Sequence, residues 1–283
     1  MKEIDCSQRM VEAVREFGII PLFRCAVPGW SIQDMTAPGC WFDENGADGI
    51  LGPWDWKVDC VAEGDIAYGK FLGGKAAFAT SEWYRHLMNW RRSIPRNRMA
   101  ERGRYAAKTN SEKLMKILSP VALDAIREAG SMGSKELRMI CSEAITPAQV
   151  RSMGRDYKAL LTPTVKKNII DSVLQYLQTG TWIVVGNIER VYRGPNLTYS
   201  GWQLAYNTVP EALFGFEDAD TASTGAPSAD ADEMPSWARR LEEPADSKAA
   251  QFRFTPQESR EMLISHVQGL FPSAARETLG KLI

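Results

Sequence analysis

The sequence predicts an α+β protein that is mainly helical, and its clearest part is a winged-helix module within residues 118–216. Helix start and stop signals mark three successive helices in this range. Two strand-like runs follow them, WIVV from Trp182 and GWQLAY from Gly201. Three helices followed by a hairpin is the order of the winged helix-turn-helix, whose third helix can enter a DNA groove.

Each of the three helices has its own boundary signals. The Ser-Pro pair at 119–120 predicts the start of the first helix, with a capping hydroxyl and proline at the first helical position. Ser134 caps a short second helix over 135–141. The Thr-Pro pair at 162–163 opens the third helix, which ends at Gly180, a residue suited to a left-handed C′ position. The apolar stripe that seats this third helix on its own domain consists of Val165, Ile169, Val173 and Leu177.

The polar residues of this module suggest a surface for DNA. Lys166 and Lys167 fall in the first turn of the third helix, where backbone N–H groups also favour phosphate, and Gln175 lies off the apolar stripe. Arg193 belongs to the expected wing and can reach a phosphate or a minor groove. Winged-helix domains also serve protein contacts and plain architecture, so the module alone leaves both functions open.

Residues 1–117 are rich in aromatic residues and hold six of the nine tryptophans. Apolar periodicity predicts a helix from Ser7 to Phe17 that Gly18 ends, and Ser31 to Asp34 has the outline of a capping box. Two strand-like runs flank the Gly-Gly pair at 73–74 and predict a tight hairpin, after which Ser81 caps another helix.

The segment from Gly52 to Phe78 is the main place to look for a pocket. If Trp54 and Trp56 lie on a strand, both indoles share one face, where they either form core or, with Tyr68, hold a flat ligand such as a base. Carboxylates near these aromatic residues are reserve candidates for acid–base chemistry, namely Asp55, Glu63 and Asp65.

Residues 85–108 concentrate basic charge. Eight basic residues stand against one acidic residue, a local net charge of +7 in a chain whose formal net charge is −1. Such a stretch can neutralise phosphates in a salt-sensitive way, or it can be a solvated surface. If it binds DNA, we expect it to share one concave face with the third helix and the wing. The candidate contacts here are Arg91, Arg92, Arg96 and Arg98.

The C-terminal part divides into two segments. Residues 217–251 are acidic and rich in Pro, Gly, Ser and Ala, which predicts a flexible linker. Residues 252–283 read as a helical pair, because Thr255-Pro-Gln-Glu258 is a capping box and Phe271-Pro-Ser begins a turn. We expect this pair to pack on an earlier domain. The predicted units are therefore 1–117, 118–216, 217–251 and 252–283.

Composition narrows the class of protein. The 44% hydrophobic and 24% charged residues are ordinary for a globular chain, and no apolar run approaches the ~20 residues of a membrane span. The five cysteines form no C-x-x-C pair, and Lys2, Glu3 and Asp5 argue against a signal peptide, so a cytoplasmic protein is predicted. The two histidines lack metal-ligand spacing, and no phosphate loop or G-x-S-x-G elbow occurs. We predict neither a metal nor a cofactor.

Several motifs together resemble a known family. GPWDWK, EGDIAYGKF, GGKAAF, SEWY with its following RR pair, and GSKELRMIC…VLQYLQTGTWIVV look like the AlkZ-related proteins, relatives of the AlkZ/YcaQ family. This resemblance covers most of residues 8–216 and the C-terminal helices. It implies tandem winged-helix domains with a small β-sheet element, so that residues 1–117 are winged-helix-like as well. It also implies DNA repair by a glycosylase that excises N7-alkylated purines and unhooks interstrand crosslinks.

The activity of the parent family depends on a Gln-x-Gln or Gln-x-Asp motif in the N-terminal domain. The nearest match here is Gln33 and Asp34, which are adjacent, and a one-residue shift turns a helical side chain by about 100°. The motif is therefore not intact. Two hypotheses follow: a protein that binds duplex, including damaged, DNA and acts as a divergent glycosylase, or a non-catalytic binding, regulatory or adaptor protein.

Overall fold

A computed structural model of the chain describes residues 3–41, 52–103, 105–151, 163–193, 195–216 and 253–283. Helices and strands are both present, as predicted. The helices are α1 Ser7–Phe17, α2 Ile32–Met35, α3 Pro53–Ala62, α4 Ser81–Ser93, α5 Asn110–Ala129, α6 Ser134–Ala144, α7 Pro147–Arg151, α8 Pro163–Thr179, α9 Pro210–Phe214, α10 Pro256–Leu270 and α11 Arg276–Leu282, with a 3-10 helix over Asn97–Glu101. The strands are β1 Ile19–Pro21, β2 Ile66–Leu72, β3 Lys75–Thr80, β4 Met132–Gly133, β5 Val184–Arg193 and β6 Thr198–Thr208.

These strands form one antiparallel sheet in the order β1-β3-β2-β5-β6-β4. Residues 19–80 supply β1, β2 and β3, and residues 132–208 supply the other three strands. The two sets of strands meet where Tyr68 pairs with Val185. The sheet therefore joins the aromatic N-terminal region to the segment predicted as a winged helix.

Two hydrophobic cores lie on this frame. The first contains α1, the N-terminal strands, α3 and α4, and it also takes in Leu263, Ile264 and Val267 of α10. The second contains α5, α6 and α8, with Trp182 and Ile183 beside them. The C-terminal helices thus pack on the N-terminal region, as we expected of the helical pair. The predicted acidic linker, residues 217–251, lies outside the described residues.

Several local predictions in the N-terminal region are confirmed. Helix α1 has the predicted bounds, and Gly18 follows it with φ +69°. A Cβ at Gly18 would lie only 2.2 Å from Cδ1 of Trp83, so glycine is required for space as well as conformation. The β2–β3 hairpin turns at Gly73 and Gly74, both with positive φ. Ser31 caps α2 by accepting a hydrogen bond from Asp34 N.

Helix α5 begins earlier than predicted. It starts at Asn110, because Thr109 and Glu112 form a full capping box, and the Ser-Pro pair at 119–120 lies inside the helix. Both Ser119 and Pro120 are buried. The prediction of a start at 119–120 is therefore wrong. The capping box of Thr109 and Glu112 satisfies two backbone N–H groups at the start of α5, whereas the Ser-Pro pair is not followed by the Glu or Gln that completes such a box.

The ends of the next helices also refine the prediction. Ser134 is the first residue of α6 and Gly133 is its N-cap, with Gly133 N donating to Glu136 Oε2 at 2.8 Å. Helix α8 begins at Pro163 and ends before Gly180, as predicted. The left-handed residue is Thr181, at φ +61°, and not Gly180. Within the stripe, Ile169, Val173 and Leu177 are buried, as predicted.

The alternating tryptophans lie on a helix and not on a strand. Gly52 is the N-cap of α3, Pro53 occupies its first position and Asp55 lies in its first turn. Residues two apart on a helix point about 200° apart. Trp56 is accordingly buried, whereas 41% of Trp54 is exposed. The prediction that both indoles share one face is wrong.

Candidate nucleic-acid interface

The β5–β6 hairpin carries an unusual set of exposed side chains at its tip, residues 192–198. Tyr192 is 55% exposed and Leu197 is 70% exposed, and Leu197 has a left-handed backbone with φ +48°. Arg193 and Asn196 are exposed beside them. Apolar side chains at the end of a hairpin bury nothing in the protein's own core, so they are available to a partner.

Helix α3 holds the body of this hairpin in place. Asp55 is 5% exposed, and its Oδ1 accepts hydrogen bonds from the Tyr199 hydroxyl and from Gln203 Nε2, the latter at 2.9 Å. Arg190 donates to the Asp55 carbonyl oxygen at 3.1 Å and to Asp59 Oδ1 at 3.2 Å. We call these residues, together with Trp54 and Lys57, the α3–hairpin cluster.

Lys57 is the least expected member of the α3–hairpin cluster, because it is only 3% exposed. Its Nζ donates to the Trp54 carbonyl oxygen and to Gln203 Oε1, and it lies 3.4 Å from the centroid of the Trp54 ring. Burial lowers the pKa of Lys57 to about 7, although the Asp55 carboxylate acts in the opposite direction. Burial, with the hydrogen bond to Asp55, raises the pKa of Tyr199 to about 12.

Trp54 belongs to an aromatic group at the edge of this cluster. Its ring lies 6.4 Å from that of Phe23, which in turn makes an edge contact with Trp41 at 5.8 Å. The other predicted pocket aromatics, Trp56 and Tyr68, are core residues that are 8% exposed, and Tyr68 packs on Phe78 at 4.9 Å. Of the three, Trp54 is therefore the one with substantial exposed surface.

Comparison with known proteins identifies the family. A sequence model of the AlkZ-related family matches residues 4–252, which is most of the chain. The chain belongs to the AlkZ-related family. The resemblance seen in the sequence is thereby confirmed. Searches of curated proteins and of solved structures find no match.

Gln33 and Asp34 of this AlkZ-related protein hold the loop that follows β1. Gln33 Oε1 accepts a hydrogen bond from Arg24 N at 3.1 Å. Asp34 accepts from Arg24 Nε at 2.8 Å and from Ser31 Oγ at 2.8 Å. These oxygens, which a glycosylase would need for a water molecule, are thus engaged with the chain itself.

Two of the reserve carboxylates lie away from Asp55. Glu63 and Asp65 bind Arg15 at 2.7 and 3.2 Å, at the far end of α3 and in exposed positions. Eight residues of helix separate Glu63 from Asp55, roughly 12 Å along the axis. The structure therefore brings Asp55 to the hairpin and leaves the other two in a surface ion-pair group.

Two of the predicted DNA-binding arginines of the AlkZ-related chain have structural contacts. Arg91 donates to the carbonyl oxygens of Phe71 and Leu282, at 3.3 and 3.0 Å, and burial lowers its pKa to about 10. Arg92 pairs with Glu211 and donates to Thr181 O at 2.8 Å. Both guanidinium groups make contacts within the fold, and their assignment to a DNA-binding surface stays a prediction.

Three other basic residues of 85–108 differ in their surroundings. Arg96 is exposed and lies 3.3 Å from Glu112, and Arg98 is half-buried in the 3-10 helix. Arg102 pairs with Asp124 at 2.9 Å. Among the described residues of this stretch, acidic residues of α5 therefore pair with part of the positive charge that the sequence concentrates there.

The polar face of α8 is divided between solvent and the N-terminal hairpin. The side chains of Lys166 and Lys167 lie outside the described part of the structure. Gln175 is exposed but close to the β2–β3 turn, since a Cβ at Gly74 would lie 3.1 Å from Gln175 Nε2. Gln178 is buried and accepts from Lys70 N at 3.0 Å. The C-terminal half of α8 thus faces β2.

Sequence reasoning missed several members of the α3–hairpin cluster. Asp55 was singled out, whereas Lys57, Tyr199 and Gln203 were not, because the hairpin residues come from more than 140 positions away. One local signal was available. Lys57 lies within a helix that also contains buried Val58, Cys60 and Val61. A lysine among buried residues is unusual unless it is paired, so its position indicated a partner.

The described helices include none that could span a membrane, being too short or too polar.

Proposed function

We propose that this AlkZ-related protein binds DNA and that the tip of the β5–β6 hairpin enters a groove. The observation that carries the proposal is the exposure of Tyr192 and Leu197 beside Arg193 at the end of a hairpin whose body is clamped to α3. Proteins that enter the minor groove combine an apolar wedge with an arginine in this way. A clamped hairpin loses little conformational freedom when it binds.

The element order supports a winged-helix interpretation of this region. Helix α5 is followed by β4, α6, α7, α8 and then the hairpin, and β4 pairs with β6. In this interpretation α8 is the recognition helix, with Lys166 and Lys167 in its first turn by sequence, and the hairpin is the wing. We extend the interpretation to residues 1–117 on the strength of family membership alone.

The hairpin makes a direct test. We expect Arg193→Ala to weaken binding to a 20-base-pair duplex about fivefold and to reduce the salt slope by about one, because one phosphate contact is lost. Leu197→Asn, which tolerates the left-handed backbone, should weaken binding without changing that slope. Fluorescence anisotropy over a series of KCl concentrations measures both effects.

A matched control is available on α1. Arg9 is an exposed arginine paired with Asp5 at 3.0 Å, far from the hairpin in sequence. Arg9→Ala should bind as the wild type does. If the two hairpin variants bind like the wild type, or if Arg9→Ala loses as much affinity as Arg193→Ala, the hairpin is not the DNA-binding element.

The second candidate function is DNA binding without base excision. The engagement of Gln33 and Asp34 with Arg24 and Ser31 favours it. We expect no release of N7-methylguanine from a duplex above the rate without protein, measured as alkali-labile abasic sites on a gel. Release that disappears in the double variant Gln33→Leu, Asp34→Asn would establish excision at this motif. Release of the base that persists in the double variant would make Asp55 the next candidate for the catalytic carboxylate.

A further inference from the structure

Trp54 combines exposure with a fixed position. It is 41% exposed, although Trp30, Trp56 and Trp182 are buried. Lys57 Nζ lies 3.4 Å from the ring centroid and covers one face of the indole. The 41% of Trp54 that solvent reaches therefore belongs to parts of the indole that Lys57 does not cover, so part of the aromatic ring is accessible to a ligand.

Hydrogen bonds hold the backbone at Trp54, and Lys57 and Phe23 contact its ring. Gln203 Nε2 donates to Trp54 O at 3.3 Å and to Asp55 Oδ1 at 2.9 Å, while Gln203 Oε1 accepts from Lys57. The Phe23 ring lies 6.4 Å from the Trp54 ring, at a tilted angle of 38°. A ligand that stacks on this ring therefore has little side-chain motion to arrest.

Two exposed cations lie at the backbone that follows Phe23. Arg24 follows Phe23 directly and is 69% exposed, even though its Nε binds Asp34. Lys75 is exposed, and its Nζ donates to Arg24 O at 3.3 Å. An aromatic platform with flanking cations is complementary to a base and its adjoining phosphates, and base–aromatic stacking contributes about 1–3 kcal/mol per base.

We infer that Trp54, with Phe23 beside it and with Arg24 and Lys75 at the backbone that follows Phe23, is a stacking site for an unpaired nucleobase in single-stranded or locally opened DNA. The inference deepens the proposed function and rests on it for the biological setting. Paired bases present no free face to the indole, so the site discriminates unpaired from paired nucleotides. The hairpin tip and Trp54 are then two separate contacts, one for the duplex and one for the displaced base.

The test uses the full chain and a fluorescent twelve-nucleotide oligo-dT, which needs no duplex contact. We expect Trp54→Leu, which keeps apolar volume but removes the flat ring, to weaken binding about tenfold. Trp54→Phe, which retains a ring, should stay within about threefold of the wild type. Leu270→Ala changes an apolar residue of matched exposure, 40%, on α10 and should have no effect.

Three outcomes overturn the inference: no measurable binding of oligo-dT by the wild type, unchanged binding by Trp54→Leu, or equal losses in the leucine and phenylalanine variants. The melting temperature of every variant is measured alongside the titrations. The comparison of Trp54→Leu with Trp54→Phe is valid when these two variants have the same melting temperature. The duplex experiment on Arg193 is independent of this one. If Trp54→Leu binds oligo-dT normally while Arg193→Ala loses duplex affinity, the stacking site is refuted and the proposed function stands. If Trp54→Leu loses affinity for oligo-dT while Arg193→Ala binds the duplex normally, the hairpin tip is refuted as the DNA-binding element.

Discussion

Glu211→Ala is expected to lower the free energy of unfolding by about 3 kcal/mol, because it leaves a largely buried guanidinium without its counter-ion. The side chains of Arg92 and Glu211 are 18% and 12% exposed. Arg92 also lies 4.4 Å from the Trp182 ring centroid and donates to Thr181 O. Arg92 therefore connects α4, which belongs to the first hydrophobic core, to the residues that come just before strand β5.

Urea unfolding followed by circular dichroism measures this effect. Glu277→Ala is the matched control, since Glu277 is 82% exposed and pairs with Lys281 on the surface of α11. It should change stability by less than about 1 kcal/mol. Equal losses in the two variants would show that the buried pair contributes no more than an exposed one.

The pH dependence of the Glu211 effect has a defined sign. Burial by itself would raise the pKa of Glu211, but the pairing with Arg92 more than offsets it, so that the folded-state pKa lies below the ordinary value of 4.5. A carboxyl with a depressed folded pKa contributes stability above its unfolded pKa and loses it as pH falls through the folded value. The difference between wild type and Glu211→Ala should therefore be full above pH 4.5 and shrink in more acidic solution.

Lys57→Met is expected to remove a rise in stability between about pH 7 and pH 10.5. Burial lowers the folded-state pKa of Lys57 to about 7 from its ordinary 10.5. Between these values the unfolded chain keeps a proton that the folded chain has released, so the free energy of unfolding increases with pH. The slope from this one group is at most about 1.4 kcal/mol per pH unit. Tyrosines and cysteines titrate in the same range, so the difference between the two proteins is the quantity that isolates Lys57.

Urea unfolding at a series of pH values from 6 to 10.5 gives that difference. Lys281→Met, at a lysine that is 74% exposed, provides the control and should leave the pH profile parallel to that of the wild type. Parallel profiles for Lys57→Met would mean that the Lys57 amine keeps an ordinary pKa in the folded protein. Lys57 donates a hydrogen bond to Gln203 on β6. The same titration therefore also tests the contact between α3 and the β5–β6 hairpin.

Elements defined by residues within a few positions of one another were predictable. Helix α1 and its glycine stop, the β2–β3 turn at two glycines, and the capping box at Thr255 and Glu258 all match the sequence prediction. Each depends on backbone conformation or on hydrogen bonds that span three or four residues. Long-range packing has little influence on such signals.

Prediction failed where two local signals competed. The Ser-Pro pair at 119–120 looked like a helix start, but a more complete capping box ten residues earlier began α5. The alternation of Trp54 and Trp56 indicated a strand, but Pro53 and the first-turn Asp55 favoured a helix. The full capping box prevailed in the first case, since it satisfies backbone N–H groups at the start of α5. In the second case α3 begins at Gly52 and Pro53 with no side-chain cap, so the proline at the first helical position was the informative local signal.

The sequence was sufficient to indicate the family, the mixed architecture and the helix–hairpin order, because these depend on periodicity and on turn chemistry along the chain. The sequence could not indicate which charged side chains lack a partner within the fold and are accessible to another molecule. Arg91 and Arg92 look like any basic pair until α9 and the chain end supply Glu211 and the Leu282 carbonyl. The cluster of Asp55, Lys57, Tyr199 and Gln203 likewise exists only after β6 packs on α3. Burial and pairing of charges are set by contacts between distant segments, and those contacts arise only on folding.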